Sequence, residues 1–419
     1  MKIQFLGAAK EVGRSCIVID GKYMLDCGLK ISSEGQEYPI VPKNINNIKA
    51  VFLSHGHLDH CGSLPFFNFK GLNCKVYCTR MTKKIASIIM KDSLHIDMLS
   101  NKDQCYEYGN IKNILSDIVE VNYNKPFNVE DSVVEFLDAG HIPGSSSIML
   151  QTKNKRLIYT GDINSVDTNL MKGLVYNPGN VDILITETTY GDREHDPRDE
   201  TEKEFLDAVE EIIKYGGKVL VPAFSIGRAQ EILLMLNKRR IKVPIYLDGM
   251  AKKVAKLILQ EPYTVKNAEK LRACMKNVRV INAESQRNEA IKEQCIVVTT
   301  SGMVVGGPVL SYLKHVYHDK NSGILLTGYQ AEGTNGRMLL ENQKVVIDGI
   351  MLNVKCHIQK FDFSAHIGRK ELVEFIRKIN PKHLILNHGD QHAMESVKNE
   401  FAKKMRVYIP KCGEIIEIK

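Results

Sequence analysis

The chain has 419 residues, 43% hydrophobic and 25% charged, which excludes disordered and collagen-like classes and leaves room for two or three domains. Lys and Arg exceed Asp and Glu by 57 − 49 = +8, an excess that permits a polyanionic partner without demanding one. No run reaches the ~18 apolar residues of a membrane span, the opening MKIQFLGAAKEVGRS lacks a secretory pattern, and ten cysteines in no repeated framework read as reduced thiols; a cytoplasmic protein without membrane contact is expected.

The first ~190 residues are rich in strands. KIQFLGAA, SCIVID and KYMLDCG are short β-like runs parted by Gly- and charge-bearing turns. KAVFLSH is another, ending in a polar cluster. TKKIASIIMKDSLHIDML has helical spacing of Ile, Met and Leu. VVEFLDAGH, SIMLQT, KRLIYTGD and VDILITET follow as strands, which suits a sheet-on-sheet sandwich flanked by helices.

The rhythm then changes. RDETEKEFLDAVEEIIKYGG opens acidic and stops at glycine, as a helix does. KVLVPAFS, VPIYLDG, NVRVIN and CIVVTT are strands that alternate with the helices GRAQEILLMLNKRR and MAKKVAKLILQ. That alternation predicts a parallel, doubly wound sheet over 191–345. The tail continues with HIQKFDFSAH, the helix RKELVEFIRKIN, the strand KHLILNHGD and the helix QHAMESVKNEFAKK.

The chemistry centres on SHGHLDHCG, residues 54–62. His55 and His57 stand two apart at the end of an extended run, where alternate side chains share a face, so two imidazoles can converge on one ion. Asp59 and His60 follow a turn and can address a second. Imidazole with carboxylate suits Zn²⁺, and admits Mn²⁺ or Fe²⁺. Further ligands are available at strand ends: Asp26, His141, Asp162 and His388. Seven other histidines, His195 and His392 among them, read as surface or core residues.

SHGHLDHCG, with Asp26, AGHIPGSS and TGD in that order, resembles the metallo-β-lactamase fold. ETTYG, PAFSIGRAQEILLML, GYQAEGTNGRML, DFSAH and LILNHGD are similar to the β-CASP branch of that superfamily, over essentially the whole chain. The wording HLDHCG, the Glu of ETTYG and the NHG histidine most resemble the endonuclease subunit of cleavage and polyadenylation specificity factor and its archaeal homologues of the type without KH domains. The resemblance implies an α/β architecture: an αββα metallo-β-lactamase sandwich (1–190 and 346–419) with an inserted doubly wound β-CASP domain (191–345). It implies two Zn²⁺ ions, one held by His55, His57 and His141, the other by Asp59, His60 and His388, with Asp162 bridging. It assigns Asp26 to the hydroxide or the ligand shell, and Glu187 with His366 to protonation of the leaving group. Asp59, Glu187, His366 and Asp26 are thus the expected catalytic residues.

The expected function is zinc-dependent, mainly endonucleolytic hydrolysis of single-stranded RNA in 3′-end processing or decay. Alternatives are a 5′→3′ exoribonuclease, a small-ester hydrolase, a scaffold subunit and a DNA nuclease. Arg228, Arg337 and Ser145 are the expected substrate contacts, and SGMVVGGP and EGTNGR the expected glycine-rich loops. The family pattern often has an acidic residue soon after the SAH histidine; here Ile367-Gly368-Arg369 follows. The terminal RVYIPKCGEIIEIK resembles ends that mediate homodimers.

Overall fold

The computed structural model describes residues 1–32, 35–99, 105–175 and 178–419. Two compact units partition the chain: Met1–Asp167 with Gly173–Glu194 and His366–Lys419, and Thr168–Lys172 with His195–Ala365.

The first unit holds two seven-stranded mixed sheets. One runs in the order Ile415–Glu417, Lys2–Gly7, Cys16–Ile19, Tyr23–Leu25, Ala50–Phe52, Lys75–Thr79, Ile118–Val121. The other runs Arg406–Tyr408, His383–Asn387, Ile183–Glu187, Arg156–Tyr159, Ser146–Gln151, Ser132–Asp138, Phe127–Val129. Strand alternation builds the layers, because successive side chains leave opposite faces. Ile17 and Ile19 join Phe52, Phe136, Ile148, Leu157, Ile183 and Ile385 in a core shared by both sheets. Val18, Met24 and Val51 point the other way, onto Leu64, Phe67, Met90 and Ile111 of the first sheet's helices. Leu184, Leu384 and Leu386 likewise face Leu372, Ile376, Val397 and Phe401 of the helices Arg369–Ile379 and Gln391–Phe401. The layers are therefore αββα.

The second unit carries a six-stranded sheet, every pairing parallel, in the order Val278–Val280, Ile245–Leu247, Ile296–Thr299, Val219–Pro222, Gly323–Leu326, His357–Lys360. Such a sheet needs helices on both faces, and its central strands Val219–Pro222, Ile296–Thr299 and Gly323–Leu326 are wholly buried. The strand His357–Lys360 pairs residue for residue with Gly323–Leu326, so the sheet closes beyond the boundary expected at 345. Its composition, HIQK, lies mostly exposed at an edge and carries little apolar pattern. The segment EGTNGR is not a loop throughout: Thr334 Oγ1 accepts the Arg337 N–H at 3.2 Å and caps the helix Asn335–Asn342.

No helix among the described residues is long and apolar enough to cross a membrane. All ten cysteines are free thiols.

Candidate metal centre and active site

Register brings the site together at the carboxyl ends of strands in the first unit. Ile183–Glu187 runs parallel to His383–Asn387 with Glu187 opposite Asn387, so His388 emerges beside Thr188. Arg156–Tyr159 pairs parallel with the same strand, which places Asp162 next in line. In the facing sheet Tyr23–Leu25 and Ala50–Phe52 are parallel, and Asp26 and His55 follow them. The helix Leu58–Cys61 then turns Asp59 and His60 back toward the strand ends.

Close approach of this turn depends on Gly28. A Cβ there would lie 1.6 Å from the Asp59 carbonyl oxygen, so any other residue displaces the segment bearing Asp59 and His60. Asp26 (φ 57°) and His388 (φ 47°) both occupy the left-handed region, a conformation costing about 1 kcal/mol or more in a non-glycine residue. Strain of this kind persists where surrounding bonds hold it, and Asp26 is held by four. Its Oδ1 accepts the Ser54 N–H at 2.7 Å; its Oδ2 accepts from Ser54 Oγ at 2.7 Å, His60 Nδ1 at 2.7 Å and Tyr159 OH at 2.6 Å. Asp26 is completely buried.

These bonds fix two tautomers. Because His60 Nδ1 donates to Asp26, its Nε2 is left as a lone pair whenever the ring is neutral. Because the Ser54 hydroxyl proton goes to Asp26, Ser54 Oγ accepts from His55 Nδ1 at 3.0 Å, and His55 Nε2 is likewise left as a lone pair.

Two ligand groups form, His55, His57, His141 and Asp162 in one and Asp59, His60 and His388 in the other, and Asp162 also lies against His60 and His388 of the second. In the first, His57 Nδ1 lies 3.1 Å from His55 Nε2 and 3.2 Å from His141 Nε2. Asp162 Oδ2 is 3.5 Å from His55 Nε2 and 3.7 Å from His141 Nε2. A tetrahedral ion with bonds of about 2.0–2.1 Å has edges near 3.3 Å, which these separations match. In the second, Asp162 Oδ2 is 3.3 Å from His60 Nε2, and Asp59 Oδ2 is 3.3 Å from His388 Nε2. His388 Nδ1 faces Asp162 Oδ1 at 3.4 Å, so both nitrogens of that ring meet carboxylates. His60 Nε2 and Asp162 Oδ1 are buried and make no hydrogen bond. Leaving such atoms unmatched is costly, and a cation supplies what they lack. The residues fit a pair of divalent metals.

Electrostatics leaves His55 and His57 neutral and His60 charged. Burial, with His60 next, pushes the His55 imidazole well below its usual range, and burial takes His57 down to about 4, so both are neutral donors near pH 7. Burial disfavours charge on His60, yet Asp162, Asp59 and Asp26 together raise it well above the usual value. Burial also opposes ionisation of Asp162, but His60, His388 and His366 hold it well below the carboxylate range.

Beside these groups, His366 Nδ1 donates to Glu187 Oε2 at 2.9 Å. Glu187 is buried and also accepts the Ile163 N–H at 2.7 Å. His366 Nδ1 stands 4.0 Å from Asp162 Oδ2.

The remaining expected residues lie elsewhere. Ser145 is wholly buried; its Oγ accepts the N–H groups of His141 and Ile142, each at 3.2 Å, and so holds the turn presenting His141. Arg228 and Arg337 belong to the second unit. Arg228 is 9% exposed, in the wholly buried helix Arg228–Leu236, and Arg337 pairs with Glu341 one turn along its helix. His195 pairs with Asp362 at 3.4 Å within the second unit, and exposed His392 with Asp192 at 3.3 Å. Arg369, where the family pattern favours acid nearby, donates to the Gly191 carbonyl at 2.7 Å and to Ser396 Oγ at 2.8 Å. Sequence reasoning missed Ser54 and Tyr159, which organise Asp26.

The family models agree with this architecture: a metallo-beta-lactamase superfamily domain matches residues 18–189, a Beta-Casp domain 229–339, and a Zn-dependent metallo-hydrolase RNA specificity domain 351–410. A relative from Methanocaldococcus jannaschii, "Probable RNase MJ4", is 41% identical over 100% of both chains. The chain belongs to the β-CASP branch of the metallo-β-lactamase superfamily. This β-CASP protein is also 30% identical, over 95% of its length and 61% of the relative's, to "Cleavage and polyadenylation specificity factor 73" of Drosophila melanogaster. A solved structure of a protein of unknown function from Enterococcus faecalis shares the fold of this β-CASP chain, with a TM-score of 0.62 over 99% of each chain at 15% identity.

Proposed function

We propose that this β-CASP enzyme is a zinc-dependent ribonuclease that cuts single-stranded RNA, mainly internally, in 3′-end processing or decay. The observation carrying the reading is one buried carboxylate oxygen, Asp162 Oδ2, within 3.7 Å of His55, His60 and His141 and 4.0 Å of the Glu187-held His366. Relatives named as ribonucleases and the RNA specificity domain match support RNA as substrate.

His55, His57, His141 and Asp162 would hold one ion, and Asp59, His60, His388 and Asp162 the other. Bound there, two ions supply an ionised water near neutral pH and offset charge on the phosphate. The all-imidazole-and-carboxylate donor set favours zinc, with manganese or iron as competitors. Asp26 fixes the His60 tautomer, and through Ser54 that of His55. His366 gives its proton to the leaving ribose oxygen, and Glu187 keeps the imidazole charged and aimed. General acid assistance of this kind contributes about 10²–10⁴ in rate. The products expected are a 3′-hydroxyl and a 5′-phosphate.

A homodimer is part of the same reading. Ile415–Glu417 is the outermost strand of its sheet and leaves one edge open for a second copy; sedimentation at several concentrations tests it.

Mapping both ends of products from 5′-labelled RNA, beside DNA of the same sequence, tests the function. Internal cuts abolished by chelator and by His57→Ala support it. Mononucleotide release dependent on a 5′-monophosphate replaces it with the exonuclease reading, and intact RNA in the presence of metal-loaded protein rejects both.

A further inference from the structure

A cleft apart from the ligand groups lies on the helical face of the first unit. The helix Leu64–Phe69 and the helix Tyr108–Asp117 enclose a cleft of about 470 Å³ lined by Asn68, Phe69, Asn73, Asn110 and Asn113. Phe69, the last residue of its helix, is 57% exposed, beside half-buried Asn68 and exposed Lys70. Lys70 Nζ stands 5.2 Å from its centroid and 5.3 Å from that of Phe66. On the opposite helix Tyr108, 47% exposed, carries Lys112 Nζ at 5.2 Å. Each of the two helices thus carries an exposed ring with its own ammonium, and Phe69 itself lines the cleft.

The amides inside are arranged, not scattered. Asn68 Oδ1 accepts from Asn110 Nδ2 at 3.0 Å and from Asn113 Nδ2 at 3.3 Å, while its own Nδ2 donates to the Leu72 carbonyl at 3.0 Å. This fixes which way Asn113 points and leaves its Oδ1 without a partner among the described residues. The exposed Asn73 carboxamide also has none among them. The cleft's acid, Asp117, is engaged by Lys75 at 2.8 Å.

We propose that this cleft is an exosite for one base of single-stranded RNA, the base stacking on Phe69, its edge meeting Asn113 and Asn73, and its phosphates meeting Lys70 and Lys112. Every nucleobase has a π-face, and an oriented carboxamide can accept from an exocyclic amino group or donate to a carbonyl. The proposal rests on the ribonuclease reading for its biological sense. Chain geometry keeps it near the chemistry: His60 and Phe69 are nine residues apart, the last six helical, so their Cα atoms lie within about 22 Å.

The test uses the absence of tryptophan from the chain. Phe69→Trp creates a single indole, and a non-cutting 20-nucleotide RNA analogue is titrated against it. The proposal expects fluorescence quenching by the stacked base. In anisotropy with the same RNA, Phe69→Ala should weaken Kd about 5- to 100-fold and Phe69→Leu equally, while Phe69→Trp keeps it. Asn73→Ala/Asn113→Ala should weaken it several-fold. In cleavage, Phe69→Ala should raise KM for the long RNA, with kcat and turnover of a six-nucleotide substrate unchanged. Unaltered Kd in Phe69→Ala, binding by Phe69→Leu as tight as wild type, or equal losses on short and long RNA would overturn it. If the wild-type protein cuts no RNA, the ribonuclease reading fails, and the Kd comparison still decides the exosite.

Discussion

Glu187 grips His366 with both carboxylate oxygens, Oε2 at 2.9 Å and Oε1 at 3.2 Å from Nδ1. Burial works against the imidazolium, but Glu187 and Asp162 outweigh it and raise His366 to about 9. The charged ring is the proton donor, so the competent form is present below that value and lost above it. Bound cations repel the imidazolium, which sets the alkaline limb of kcat at or below about 9. Glu187→Gln removes the largest stabilising charge. The expected result is a limb moved acidward by about one unit or more and kcat lowered at pH 8, with metal content unchanged. His366→Ala should lower kcat about 10²–10⁴-fold and abolish that limb. A limb unmoved by Glu187→Gln in a pH–rate profile would remove His366 from the acid role.

Asp162 belongs to the first ligand group and also reaches the second, its Oδ2 3.3 Å from His60 Nε2 and its Oδ1 3.4 Å from His388 Nδ1. Asp162→Asn weakens one donor for each ion, whereas His57→Ala touches only the first group. Metal analysis after dialysis should therefore show both ions depleted in Asp162→Asn and about half retained in His57→Ala. Equal depletion in the two variants would mean that the groups fill only together.

Much of this centre was legible in the primary structure, because His55, His57, Asp59 and His60 are adjacent in the chain and one strand end with one helical turn suffices to aim them. From the residues alone Asp26, His141, Asp162 and His388 were legible as polar ends of apolar runs, and Glu187 came from the family resemblance. What joins them is register, such as Glu187 opposite Asn387, and register depends on pairings 200 residues apart. Tyr159 and Ser54 escaped for a physical reason: a tyrosine on an inward-facing strand position looks like core until its hydroxyl is seen to need a partner. The strand His357–Lys360 escaped because an exposed edge needs no apolar alternation. Ser145 was found for its place beside His141, but its hydroxyl is spent on the backbone there.

Asp26 tests how far the ligand shell depends on its support. Its Oδ2 collects three donors at a completely buried position. Asp26→Asn replaces an acceptor by a group that donates, and His60 can no longer keep its proton on Nδ1 and its lone pair on Nε2. Affinity for the second ion should fall about 10–100-fold. Tyr159→Phe removes one of three donors and should cost about 1–3 kcal/mol of stability with a smaller loss of metal. Competition with a chelator and thermal denaturation read the two effects. Wild-type metal affinity in Asp26→Asn would show that His60 is oriented by packing alone.

The two ligand groups should differ in the protons they release. In the first, His55 and His57 are held below their usual values, so near pH 7 they are already neutral and Asp162 is already ionised. Without metal, His60 is raised by the carboxylates around it and carries a proton on Nε2, the atom that ligates. Filling the second group must expel that proton. Calorimetric titration of metal-free protein at pH 7, in buffers of different ionisation enthalpy, should give about one proton more with the ion of the second group than with that of the first. In His60→Ala that extra proton should disappear. Stability of the metal-free protein follows the same signs. For His57, lowered to about 4, the contribution is present above the usual 6.5 and is lost as pH falls toward 4; for His60, raised, it is present below 6.5 and lost at high pH. Equal proton release by both ions would contradict the assignment of neutral His55 and His57 and a charged His60.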